Sequence, residues 1–230
     1  MHVTLTGNLG SGKSTLSKIL EAEYGYEIFS TGKVIRQIAE EHGVSVLEMN
    51  KMMEDDHKYD HMIDDTTARI SKEQKDKKLL FDSRLAWNFV EESFKVFLSV
   101  SLPVAASRVL ADKSRGDVEN YKSLEQCMES LRDRAASEDR RYKNIYGIEY
   151  FNYSNYNLVL DSSDCAPDIL AKILADEAAA AEEKLAKGEK IGTKLILDKN
   201  RPEEDFAKEK AEGTVSLQTI CGVEFVVVEL

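Results

Sequence analysis

The chain has 230 residues, 42% of them apolar and 32% charged, which is enough apolar material for a sizeable core and excludes extended disorder, a collagen-like fibre and a small disulfide scaffold. With 31 basic against 42 acidic side chains the formal charge is −11, so the surface as a whole repels nucleic acid and anionic lipid. Any phosphate-binding residues must then form a local cluster that acts against the overall sign.

Cys127, Cys165 and Cys221 are far apart, with no CxxC pair and no histidine at zinc spacing, which argues against disulfides and metal sites and for a reducing compartment. Met1-His2 leads straight into a strand-like run, without a basic and apolar leader, and no apolar stretch nears the ~20 residues of a membrane-spanning helix. The expectation is a soluble cytoplasmic protein with neither a membrane nor a nucleic-acid partner.

Short apolar runs alternate with amphipathic patterns through the first 174 residues, the mark of a parallel sheet flanked by helices. Val3–Thr6 is the first strand, and Gly7-Asn8-Leu9-Gly10-Ser11-Gly12-Lys13-Ser14-Thr15 follows it directly, matching GxxxxGK[ST] and running into a helix over Lys13–Tyr24. That order of strand, loop and helix defines a P-loop. Its glycines let successive amides turn inward onto phosphate oxygens while the helix N-terminus adds partial positive charge. Lys13 is expected to reach the β- and γ-phosphates, and the Ser14 hydroxyl to ligate Mg2+.

Glu27–Ser30 reads as the second strand, followed by helices over Lys33–His42, Val46–Glu54 and Asp60–Lys72. Lys78–Asp82 is the third. Its Asp82, a second candidate metal ligand, is followed by Ser83-Arg84 and not by the glutamate that positions water in a hydrolase, so a kinase fits better. Phe94–Ser101 and Asn157–Asp161 complete five strands, with helices at Pro103–Ala111 and Ser123–Tyr142 between them. Leu124, Cys127, Met128 and Leu131 form an apolar stripe read as packing, and Trp87 is read as buried.

A helix begins near Ala166, and the alanine-, glutamate- and lysine-rich run Ala175–Gly188 reads as a solvated helical linker, placing a boundary near 175–190. Residues 191–230 hold an apolar run at Leu195–Leu197, a charged helix over Pro202–Glu212 and a hairpin of Val215–Ile220 with Val223–Val228. This small α+β extension buries too little by itself and is expected to dock on the main domain or on a partner, leaving monomer and homodimer both open.

Phosphoryl transfer to a small phosphorylated acceptor needs arginines from separate elements to converge, because guanidinium forks bind phosphate oxygens in pairs and stay charged. Arg36, Arg84, Arg134, Arg140 and Arg141 are the candidates. Spacings of four and seven put Arg134, Glu138 and Arg141 on one helix face.

At these residues the chain resembles the cytidylate kinases, in particular the short form common in archaea and some bacteria. The resemblance rests on Ser30-Thr31-Gly32-Lys33-Val34-Ile35-Arg36, Tyr59-Asp60-His61-Met62-Ile63-Asp64, Asp82-Ser83-Arg84-Leu85 and the run from Arg132 to Tyr150. It covers about residues 1–174 and implies a three-layer α/β/α P-loop fold with a five-stranded parallel sheet, helices that bind the monophosphate, and a lid. It also implies ATP and Mg2+ as cofactors and CMP or dCMP as acceptor, bound by Arg36, Asp60, Arg84, Arg134, Glu138 and Arg141. Arg115 is the implied lid cation, in a lid spanning about Arg108–Tyr121. Ser83 stands where the family pattern has glycine, and the extension has no counterpart in that pattern. Another acceptor (UMP, AMP or a non-nucleotide) and a silent nucleotide-binding module remain open alternatives.

Overall fold

The computed structural model describes residues 1–44, 48–49, 52, 58–112 and 121–230. Eight strands form a single sheet in the order β2-β3-β1-β4-β5-β6-β8-β7. They are β1 (His2–Gly7), β2 (Glu27–Ser30), β3 (Leu79–Asp82), β4 (Ser93–Ser99), β5 (Leu158–Asp161), β6 (Lys194–Asp198), β7 (Thr214–Ile220) and β8 (Val223–Glu229). Strands β1 to β6 run parallel, β8 pairs antiparallel with β6, and β7 pairs antiparallel with β8. Val3 sits opposite Leu80 on one side and Phe94 on the other.

The helices are α1 (Lys13–Tyr24), α2 (Thr31–Glu41), α3 (Lys58–Glu73), α4 (Ala86–Phe89), α5 (Leu102–Ala111), α6 (Leu124–Tyr146), α7 (Pro167–Ala186) and α8 (Ala207–Glu212). Both sheet faces are covered, so the central strands read as nearly continuous apolar runs instead of alternating ones. On one face Leu16 and Leu20 of α1 and Leu170, Leu174 and Ala178 of α7 pack on Leu5, Val96, Leu98, Leu160 and Ile196. Phe97, Val159, Leu195 and Leu197 point the other way, into an aromatic cluster with Trp87, Tyr142, Tyr150 and Tyr156. Each such ring or aliphatic chain contributes about 1.5–3 kcal/mol when fully buried. Trp87 packs on Tyr156 at 5.2 Å, and Cys127 and Leu131 are buried, as the packing readings expect.

Three features of the extension bear on its expected form. Residues 175–186 are helical, as expected, and continue α7: Ala178 and Ala181 are buried, while 182–188 are exposed. Their small side chains let α7 lie close on α1 while glutamates and lysines face water. Strand β6 joins the sheet beside β5, so the extension lengthens the existing sheet on the main domain. The helix expected from Pro202 starts only at Ala207, because Phe206 takes a left-handed φ of 63° and interrupts it. The helix expected over Val46–Glu54 lies largely outside the described residues. Among the described residues, no helix is long and apolar enough to cross a membrane.

Candidate active site

The chain leaves β1 toward β2 and β3 on one side and toward β4 and β5 on the other, and that reversal opens a crevice at the carboxyl ends of the strands, where open α/β sheets bind ligands. The loop from Gly7 to Thr15 fills its centre. Gly7 has φ 147°, and a β-carbon there would stand 2.1 Å from the Leu98 carbonyl oxygen, so no other residue fits between β1 and β4. The Asn8 amide donates to the Leu98 carbonyl at 3.0 Å, and the Asn8 side-chain oxygen accepts from the Val100 amide at 3.2 Å. Gly12, at φ 89°, turns the loop into α1, whose first turn carries Lys13 and the exposed Ser14 and Thr15.

Lys13 Nζ donates to the carbonyl oxygens of Gly7 at 3.1 Å and Asn8 at 3.2 Å. Arg84, just past β3, donates from Nη1 to the same Gly7 oxygen at 2.7 Å. Two cations from different elements thus meet at one carbonyl, within Coulombic reach of each other, in a site that an anion would relieve. Arg84 Nη1 also lies 3.4 Å from the Tyr150 hydroxyl and 3.5 Å from Glu138 Oε2. Burial works against the Arg84 charge, but Tyr150 and Glu138 outweigh it and hold its pKa above the ordinary guanidinium value. Asp82 ends β3 beside these groups. Burial pushes its pKa above the usual carboxylate range, with Lys13 and Arg84 opposing the rise.

Two cavities flank the loop. One of about 390 Å3 is lined by Gly10 to Thr15, Arg108, Val109, Ser162 and Pro167. The other, about 260 Å3, lies among Asn8, Arg84, Val100, Leu131, Glu138 and Phe151. Leu9 borders both. The buried Ser11 hydroxyl has no hydrogen-bond partner among the described residues, nor does that of Thr31 at the start of α2.

Of the residues singled out from sequence, Gly7, Asn8, Gly10, Ser11, Gly12, Lys13, Ser14, Thr15, Asp82, Arg84 and Glu138 come together at this crevice. Arg36 stands on α2 with its guanidinium folded toward Gly32, beyond the end of β2 on the same sheet edge. Arg134 borders a shallow groove with Gln126, Glu129 and Asp133 on the adjoining flank of α6. Arg141 is exposed, its guanidinium 5.3 Å from the Tyr142 ring. In this arrangement only Glu138 of that trio reaches Arg84. The Asp60 side chain and Arg115 lie outside the described residues. Its neighbour in the motif, Asp64, accepts from the Tyr146 hydroxyl at 2.7 Å and so ties α3 to α6.

Two site residues escaped the sequence reading. Tyr150 bonds Thr6 Oγ1 at 2.5 Å and faces Gly7 and Arg84, and its one signal was its place at the end of the Arg132–Tyr150 run. Arg108, the first residue of the expected lid segment, walls the larger cavity, with Nη2 donating to the Ser162 carbonyl at 2.6 Å. Burial lowers its pKa, partly offset by Asp161. Its signal was its position as the basic residue of the helix after β4.

A parallel sheet with a phosphate loop at its switch point and a lysine and an arginine meeting over that loop has the architecture of the P-loop kinases. Shikimate kinase from Bacteroides thetaiotaomicron shares the fold, with a TM-score of 0.54 at 14% identity over 81% of this chain and 98% of that one. Residues 2–164 match the model of the cytidylate kinase-like family, and the chain belongs to that family. The cytidylate kinase of Methanoregula boonei is 31% identical over 176 residues, 76% of this chain and 92% of that one. The cytidylate kinase of Methanothrix thermoacetophila is 33% identical over 162 residues, 70% and 88% of the two chains. Strands β6 to β8 lie beyond the residues that the family model matches.

Proposed function

We propose that the protein transfers the γ-phosphoryl group of ATP to a nucleoside monophosphate, CMP or dCMP, giving ADP and the diphosphate. The observation that carries this reading is the convergence of Lys13 and Arg84 on the Gly7 carbonyl, at the lip between the two cavities. The larger cavity takes the donor, with Arg108 at its wall and the loop amides on its phosphates. The smaller one, under Arg84 and Glu138, takes the acceptor phosphate, with Arg36, Asp60, Arg134 and Arg141 as further acceptor ligands. Residues 1–174 constitute the catalytic unit and 191–230 an addition to it.

The bond from the γ-phosphorus to the bridging oxygen of ADP breaks as an acceptor phosphate oxygen bonds to that phosphorus. The attacking oxygen is already ionised near neutrality, so no general base is needed, and positioning with charge neutralisation does most of the catalysis. Lys13 and Arg84 hold positive charge where the migrating group passes, and Arg134, Arg141 and Arg115 add to it on closure, which also excludes water as a competing acceptor.

Ser14 and Asp82 are the oxygen donors that the chain offers Mg2+, and among the described residues no group of three or more His, Cys, Asp or Glu side chains is arranged to hold a metal. This donor set suits an ion whose remaining ligands are phosphate oxygens and water. Held by Ser14 and Asp82, Mg2+ would supply neutralisation of the phosphate charge.

Two changes probe the site. Because the folded pKa of Asp82 is raised, its contribution to stability is full below the unfolded value and is lost as pH rises through the folded one. Burial disfavours the charged carboxylate, so above the folded pKa Asp82→Asn raises the melting temperature, while it increases the Mg2+ concentration needed for half-maximal rate by on the order of ten- to a hundredfold. A melting temperature that falls on this change contradicts the assigned burial cost. Arg36→Ala raises the acceptor KM by about tenfold with kcat little changed, since one exposed phosphate contact is worth about 1.5 kcal/mol. An unaltered acceptor KM removes Arg36 from the site.

The proposal is tested by following ADP formation from ATP with CMP, dCMP, UMP and AMP in turn. CMP and dCMP are expected to give the highest kcat/KM. Faster turnover of UMP or AMP reassigns the acceptor, and ATP binding without ADP formation on any of the four reduces the protein to a nucleotide-binding module.

A further inference from the structure

We infer that Arg201, on the loop after β6, is a positioning residue of the donor cavity, holding in place the end of β5 that supports the P-loop and Arg108. The inference rests on reading that cavity as the ATP site.

Asp161 closes β5 and is fully buried. Its two carboxylate oxygens accept from Arg201 Nη1 at 3.0 and 3.1 Å, from the Ser163 amide at 3.0 Å and hydroxyl at 2.6 Å, and from the Asp198 amide at 3.3 Å. The Arg201 side chain is 10% exposed, and its Nε donates to Asp205 at 2.5 Å. A buried carboxylate that loses its cation becomes an uncompensated charge, so this pair dictates where the β5 end sits.

Of the two residues that follow Asp161, Ser162 lines the donor cavity and Ser163 braces the turn into α5. Ser162 Oγ donates to the Ser11 carbonyl of the P-loop at 2.8 Å, and the Ser162 carbonyl and hydroxyl accept from Arg108 at 2.6 and 3.2 Å. Ser163 Oγ accepts from the Ser101 amide at 2.8 Å, at the N-cap of α5. The α5 wall of the cavity therefore rests on Ser163, which Asp161 and Arg201 hold, while Ser162 follows Asp161 directly in the chain and is tied besides to the Ser99 carbonyl at 2.9 Å. The Arg201 loop is itself anchored: the guanidinium lies 5.3 Å from the Phe206 ring, which packs on Tyr153 at 5.1 Å. Arg201 lies past the family match, so this support is an addition of the extension to a site built from the first 164 residues. None of these bonds runs to Arg84, Glu138 or Arg36, so the acceptor ligands keep their own contacts and the larger effect falls on the donor.

The test is steady-state kinetics with both substrates, together with calorimetric titration of ATP, on four proteins. Arg201→Met is expected to raise the KM and Kd of ATP about tenfold while the CMP KM stays within about twofold. Arg201→Lys recovers most of that loss, because an ammonium still meets Asp161. Lys199→Met, which breaks an exposed pair with Glu224 in the same extension, leaves ATP affinity at the wild-type level. Should Arg201→Met not fold, the double change Arg201→Met with Asp161→Asn removes both buried charges and carries the same expectation.

Wild-type protein supplies an independent arm. By reciprocity of linkage, ATP slows amide hydrogen exchange at Ser162, Ser163 and residues 198–205, and CMP does not. An Arg201→Met protein that melts earlier yet binds ATP like the wild type, or the absence of that protection, overturns the Arg201 assignment alone. A wild-type protein that binds no ATP overturns the donor-site reading and this inference with it.

Discussion

Lys13→Ala lowers kcat by on the order of a thousandfold and leaves the folded protein nearly as stable as before. The loss is large because phosphoryl transfer spreads charge over the migrating group and asks the protein for little besides position and countercharge. The stability change is small because the two oxygens that Lys13 contacts are carbonyls of its own loop, and the Gly7 carbonyl keeps Arg84 at 2.7 Å when the lysine goes. Asp82 loses one of the two positive charges beside it and keeps that of Arg84. Measured kcat within tenfold of wild type, with an unchanged melting curve, would remove Lys13 from the chemistry.

Arg84→Ala differs in kind, since it lowers both kcat/KM for the monophosphate and stability. Activity falls by on the order of a hundred- to a thousandfold as the acceptor phosphate loses a forked donor. Stability falls by about 1–2 kcal/mol, because Glu138 and Tyr150 lose a partner in a site only a quarter exposed, though the 3.5 Å ion pair is too loose to count for more. For a chain of this length that corresponds to a drop of roughly 2–8 °C in Tm. Arg84→Lys restores part of the stability and little of the activity, because an ammonium lacks the planar fork that grips two phosphate oxygens as a pair. Equal kinetics for the Ala and Lys forms together with the wild type would mean that no acceptor phosphate passes beneath Arg84.

The strand, loop and helix about Gly7 to Tyr24 were readable because local chemistry defines both ends of α1: Gly12 and Gly25 each adopt positive φ, and the apolar positions between them repeat at helical spacing. Arg84 was readable from its place just past a strand. Tyr150 and Arg108 were obscure for a common reason. Their partners lie 66 residues away in one case and 98 in the other, and no periodicity reports such a distance. The triplet Leu195–Leu197 looks the same whether it pairs parallel, antiparallel or not at all, so its place beside β5 had to come from the packing of α7. The alanine run at 175–188 was legible as a helix but not for the burial of Ala178 and Ala181, because alanine serves solvated helices and close helix contacts equally well.

The position of β1 has a consequence for how the protein is made. On the ribosome the phosphate-gripping segment emerges early, yet the Leu98 carbonyl that receives the Asn8 amide, and the Val100 amide that engages the Asn8 side chain, arrive only with β4. Through that interval the nascent chain displays the complete motif without the scaffold that gives it shape. A product interrupted before Ser99 keeps the signature and lacks the grip.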